Sequence, residues 1–167
     1  MRSTLDISPR SLPVALAIAL APLQALACSV TGPDFVEVTP RDALPGEAAP
    51  AAPRIEVVGI RRGSGDEPVT SCSDIGMLSL ALRDEPGSAA PAYELKLLEG
   101  DSGALAIPPN PMRPRLAEDG GHYFVISWID DASNDQEPLA LKVRVTALSS
   151  TGARGGSVVV DIADPGR

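Results

Sequence analysis

Leu139-Ala140-Leu141-Lys142-Val143-Arg144-Val145-Thr146-Ala147 decides the fold class. Its apolar side chains stand at odd positions, with Lys142, Arg144 and Thr146 between them. A strand turns successive side chains to opposite faces, so this period of two describes extended chain with one dry and one wet face. Downstream, residues 149–156 are rich in Ser and Gly and read as a turn. Val158, Val160 and Ile162, alternating with Val159 and Asp161, then supply a closing strand. Upstream, residues 123–129 place Phe124, Ile126 and Trp128 on one face and Val125, Ser127 and Ile129 on the other.

Similar runs continue toward the N-terminus. Tyr93, Leu95 and Leu97 alternate with Glu94 and Lys96, and Leu78, Leu80 and Leu82 alternate with Ser79, Ala81 and Arg83. Ile55, Val57, Val58 and Ile60 form a further run whose alternation shifts at Val58-Gly59, the mark of a β-bulge. Pro86-Gly87 marks a turn. Pro108, Pro109, Pro111 and Pro114 exclude a helix over residues 100–121. Short strands at regular spacing predict an all-β, antiparallel sandwich of about seven strands over residues 54–164.

Before that domain lie two other segments. Residues 28–53 read as a Pro/Ala-rich leader or stalk, with a brief alternation over residues 35–39 that predicts a short edge strand. Residues 1–27 have the grammar of a signal peptide. Arg2 and Arg10 precede an apolar run over residues 12–26, and Ala25-Leu26-Ala27 offers a small-x-small cleavage pattern directly before Cys28. Pro13 and Pro22 interrupt a run already short for a membrane span. The expectation is an exported protein, periplasmic or extracellular. Cys28 and Cys72 are the only two cysteines. In an oxidising compartment they pair as a disulfide; alternatively Cys28 is lipidated and anchors the chain to the outer membrane. Neither arrangement gives a C-x-x-C redox pair.

Charge narrows the partners. The chain has 14 basic and 22 acidic residues, a formal net charge of −8. Removing Arg2, Arg10 and Asp6 with the signal peptide makes it −9. Such a chain repels phosphate backbones and anionic bilayers, which argues against nucleic acid and leaves membrane contact to a lipid on Cys28. Aromatic residues make up only 3%, so aliphatic side chains must build the core.

Residues 141–152 followed by Ser157-Val158-Val159-Val160-Asp161-Ile162 resemble the last two strands of a fibronectin type III or related bacterial Ig-like domain. The shared features are a V-x-V-x-A strand, a small polar turn with Gly and a valine-rich final strand. The resemblance implies an Ig-like sandwich. Two departures weaken the topology it implies: Leu141 stands where the family has an aromatic residue, and Trp128 lies later than the family's early-strand tryptophan.

Several stretches imitate active sites. Gly100-Asp101-Ser102-Gly103 resembles the nucleophile segment of trypsin-like serine proteases. The chemistry needs a histidine within hydrogen-bond reach of Ser102, and His122 is the sole histidine. It follows the serine, whereas in that family it precedes it; a tight turn explains residues 100–103, and His122 reads as an exposed strand entrance. Asp130, Asp131, Asp135 and Glu137 form the densest oxygen cluster and make a calcium-stabilised adhesion module conceivable. Gln136 and Lys142 stand where an EF-hand needs Gly and Glu, so a polar loop between two strands is the favoured reading of them. Gly63-Ser64-Gly65 lacks the context of a phosphate loop. Arg61-Arg62 beside Asp66-Glu67 reads as a self-compensating surface loop. The expected protein is therefore a non-enzymatic envelope or secreted binding module without a cofactor. It meets an envelope protein or a glycan through a sheet edge or the loops at 61–74, 99–121 and 130–138. The stiff Pro108-Pro109-Asn110-Pro111-Met112 segment would be either a contact surface or a cover for a sheet edge.

Overall fold

The computed structural model describes residues 32–64, 72–84, 90–101, 103, 105–130 and 136–166. Among them are eight strands and one short 3-10 helix, Cys72–Asp74. The strands are β1 (Arg41–Asp42), β2 (Ile55–Arg61), β3 (Ile75–Leu82), β4 (Ala92–Glu99), β5 (Arg115–Leu116), β6 (His122–Ile129), β7 (Leu139–Leu148) and β8 (Ala153–Asp164). They form two four-stranded sheets of order β1-β8-β7-β4 and β2-β3-β6-β5. Every pairing is antiparallel except β1 with β8, which is parallel. The chain is all-β, as the period of two predicts.

One hydrophobic cluster joins the sheets. Leu141, Val143, Val145 and Ala147 of β7 meet Leu78, Leu80, Phe124 and Ile126 of the other sheet within it. Aromatics are scarce but well used: the rings of Tyr93 on β4 and Phe124 on β6 meet edge to face, centroids 5.3 Å apart. The Tyr93 hydroxyl accepts a hydrogen bond from the Ala90 N–H at 2.9 Å, so its polar end is satisfied inside the core.

The β2 bulge falls where the alternation shifts, with Val58 as the extra residue between Val57 and Gly59. The turn expected over 149–156 is shorter, because β8 already begins at Ala153. Gly155 and Gly156 lie within that strand, against residues 50–52 of the segment that leads from β1 in one sheet to β2 in the other. A Cβ on Gly155 would lie 2.1 Å from the Pro50 carbonyl oxygen, and one on Gly156 would lie 2.3 Å from the Ala52 nitrogen.

The strand expected over 35–39 reduces to one bridge between Phe35 and Met112; β1 follows just after Pro40. Residues 32–53 run along the sheets. Arg41 donates its N–H to the Gly152 carbonyl, and Gly156 donates to that of Pro50. Glu47 fastens this segment. It accepts both Arg41 guanidinium nitrogens at 2.7 and 2.8 Å and the Leu44 N–H at 3.0 Å, which holds its carboxyl down at about 2. The Pro-rich segment covers an edge: Met112 is fully buried and exchanges both backbone hydrogen bonds with Tyr93 at the start of edge strand β4. That removes the segment from the candidate contact surfaces at Met112.

Candidate functional site

Strand register assigns every outward side chain, and the two sheets present different chemistry. On the β1-β8-β7-β4 sheet, Glu94, Lys96, Lys142, Arg144 and Asp161 point outward. Lys142 Nζ lies 2.6 Å from Glu99 Oε2, and Arg154 Nε lies 2.8 Å from Glu94 Oε2. This is an ordinary solvated face.

The β2-β3-β6-β5 sheet is the reverse. Its two central strands turn Ile75, Met77, Ser79 and Ala81 outward beside Ile129, Ser127, Val125 and Tyr123. None of these eight residues carries a charge. Glu56 and Arg61 stand outward on β2, Arg115 on β5, so charge rims the face and leaves its middle uncharged, with Met77 and Val125 beside Ser79 and Ser127. Val58 and Ile129 are 49% and 55% exposed, whereas Ile75 and Ala81 are buried. An apolar area framed by charge on an outer face is the usual chemistry of a contact surface.

A second feature lies at the end of the sandwich where β2 and β6 finish. Arg62 and Asp130 keep only 6% and 2% of their side-chain surface. The guanidinium clasps the carboxylate with two hydrogen bonds of 2.8 and 2.9 Å, then reaches Asp164 Oδ1 at 3.1 Å and the Glu137 carbonyl at 3.0 Å. Asp130 also accepts the Gly63 N–H at 2.8 Å and a hydrogen bond from Trp128. Burial pushes the Asp130 carboxyl up, but these donors outweigh it and hold it below the usual carboxylate range. The Trp128 ring lies over Gly76, where an added Cβ would come within 2.2 Å of it. A cavity of about 170 Å³ opens here, lined by Arg62, Asp101, Gly103, Trp128, Asp130 and Glu137 among others.

This arrangement corrects the reading of Arg61-Arg62 as a self-compensating surface loop. Arg62 is a buried cation whose partners lie 68 and 102 residues away; Asp66 and Glu67 fall outside the described residues. Asp130 turns inward and spends its oxygens on Arg62 and Gly63, so it is not available to a calcium ion in the loop. Asp131 and Asp135 lie outside the described residues. No cluster of three metal-binding side chains occurs among the described residues.

Ser102 also lies outside them, but its neighbours do not. Asp101 and Gly103 line the cavity beside Trp128, near the end of β6, whereas His122 is the half-buried first residue of β6. The length of that strand, about 20 Å, separates His122 from the cavity. Cys72 opens the 3-10 turn and is exposed; no cysteine among the described residues is free, and Cys28 lies outside them.

Known proteins supply no family: no family model, curated protein or solved structure matches the chain.

The sequence reasoning looked for contacts in the loops and at a sheet edge and did not consider the sheet face. The signal was present. Ile75–Leu82 and His122–Ile129 each run eight residues without a Lys, Arg, Asp or Glu. A half-buried antiparallel strand alternates with polar residues; a strand without charge has something apolar to offer on both sides.

Proposed function

We propose that this chain is a non-enzymatic, exported binding module that meets an envelope protein through the outer face of the β2-β3-β6-β5 sheet. The observation that carries this reading is the uncharged band formed by Ile75, Met77, Val125, Ile129 and their neighbours. Its chemistry favours a protein surface over a glycan, whose hydroxyls want polar partners. The strand orders support an Ig-like sandwich: β2-β3-β6-β5 and β4-β7-β8 run in the same sequence order as the two sheets of a constant-type Ig domain, with β1 added alongside the final strand. The basic, apolar and small-x-small segments of residues 1–27 support export with cleavage before Cys28. Cys28 is then available either to a lipid or to Cys72.

The test uses envelope extract as prey and the processed chain as bait. Met77→Lys or Val125→Lys puts a charge in the middle of the face without touching the core. Each is expected to lose a protein that the wild type retains, by tenfold or about 1.4 kcal/mol or more, while Lys142→Glu on the opposite sheet keeps it. Equal retention by all four proteins overturns the reading. The calcium alternative has its own measurement: thermal midpoints in calcium and in chelator are expected to coincide, because Asp130 is committed to Arg62.

A further inference from the structure

Strand β6 is bonded along its full length on one side only. β3 pairs with all of His122–Ile129, whereas β5 reaches only His122 and Tyr123. In an antiparallel ladder, successive residues send their N–H and C=O to opposite sides. The Asp130 N–H donates to the Asp74 carbonyl on the β3 side, so Trp128, Ile126 and Phe124 bond in that direction too. Val125, Ser127 and Ile129 therefore send theirs to the β5 side. Among the described residues, no backbone group bonds to them there.

The sequence explains why β5 stops. Continuing its register would set Arg113 opposite Val125, Pro111 opposite Ser127 and Pro109 opposite Ile129. Neither proline has an N–H to give. The Arg113 N–H is spent on the Asp34 carbonyl at 2.7 Å. Upstream of Pro114 the chain lies against the other sheet instead, where Met112 exchanges both backbone hydrogen bonds with Tyr93. The protein's own β5 has no means of finishing the ladder.

Other strand edges are guarded. β2 is interrupted by its Val58 bulge and carries Glu56 and Arg61. β4 is covered at Tyr93 by Met112, carries Lys96 and loses its register between Leu97 and Glu99. Charges, bulges and covers of this kind keep edges from pairing with other chains. β6 from Phe124 to Ile129 has no charge, no proline and no bulge. Ile129 is exposed, and Val125 and Ser127 are half-buried.

A bare ladder accepts another extended strand, and this one is its own complement. Val125, Ser127 and Ile129 are evenly spaced about Ser127. A copy turned through a half-circle in the sheet plane sets Ser127 opposite Ser127 and Val125 opposite Ile129, with about six main-chain hydrogen bonds between them. Charge favours the same contact. The chain carries a formal −8, which opposes close approach of two copies elsewhere, but β6 has no Lys, Arg, Asp or Glu.

We propose that the open edge of β6 pairs antiparallel with the same edge of a second copy of this chain, centred on Ser127. The two-fold axis then stands perpendicular to the sheet, so both outer faces point to one side and the band around Met77 and Val125 is presented twice. The pairing leaves that outer face free and does not depend on what binds there.

The test is sedimentation equilibrium of the processed chain from about 5 to 200 µM, which is expected to show a monomer–dimer equilibrium with a Kd on the order of 50 µM. Ser127→Pro removes a donor at the centre of the contact whose N–H serves no bond in the monomer. It is expected to fold and to weaken association tenfold or about that. A wild type that stays monomeric over the whole range overturns the proposal, as does equal association by the variant. A dimer that runs as one covalent species on a non-reducing gel overturns it as well. If Ser127→Pro fails to fold, hydrogen exchange of the wild type decides. The Val125, Ser127 and Ile129 amides are expected to exchange about tenfold more slowly at the highest concentration than at the lowest, with Phe124, Ile126 and Trp128 slow at both. Rates independent of concentration overturn the pairing. Protection of the same three amides only after envelope extract is added overturns the second copy and gives the edge to another protein. Met77→Lys lies on β3, away from the edge, and is expected to associate as wild type does, so failure of the face reading and failure of this pairing are read separately.

Discussion

Arg62→Met is expected to lower the unfolding free energy by about 3–5 kcal/mol, the cost of leaving a buried carboxylate without its cation. The measurement is urea denaturation followed by the fluorescence of Trp128, the only tryptophan and a direct neighbour of the ion pair. Arg62 and Asp130 are nearly sealed from solvent, so the screening that makes surface pairs weak does not apply. Asp130→Leu added to Arg62→Met is expected to recover part of the loss. It cannot recover all of it, because the Gly63 N–H and the Trp128 indole also lose their acceptor.

The same pair gives a direction in pH. Asp130 titrates lower in the folded chain than in the unfolded chain. Its contribution is therefore complete above the unfolded carboxylate value of about 3.9 and is lost as pH falls from there through the folded value. Wild type should lose stability across that acid window more steeply than Arg62→Met/Asp130→Leu. Parallel acid profiles would show that the pair contributes nothing.

The second large effect is expected at Gly76. Gly76→Val should destabilise by roughly 3 kcal/mol or more, because rigid branched carbon would enter the plane of the Trp128 ring. The ring has little room to retreat, being 6% exposed and held to Asp130. The expected signature is a red-shifted Trp128 emission together with a lower urea midpoint. Gly59→Val is the control: it lies on the outer face of the same sheet with nothing within 4 Å of an added Cβ. If the two variants have equal midpoints, the account of the Trp128 corner is wrong.

Most of the sheet framework was legible because it is written in local alternation. β2, β3, β4, β6, β7 and β8 all lie on runs of period two, and even the Val58 bulge left its trace. β1 and β5 were not legible. Each has two residues, too few for any period, and each exists only because another strand receives it: the remote β8 for Arg41–Asp42, and β6, just across the turn at residues 117–121, for Arg115–Leu116. Arg62 failed for a related reason. Its neighbours in sequence include two acids, while its partners are remote, so the nearest opposite charge gave the wrong answer. The Glu99 and Lys142 pair shows that proximity in a ladder, rather than along the chain, is what brings charges together. The apolar outer face was present as a lack of charge in two strands. It went unread because a search for chemistry looks first for polar atoms.

The parallel contact between Arg41–Asp42 and Ala153–Arg154 joins the first strand to the last. A ribosome delivers these partners at opposite ends of synthesis, more than a hundred residues apart. The sheet edge therefore stays unzipped until nearly the whole polypeptide has emerged, and closing so large a loop is slow.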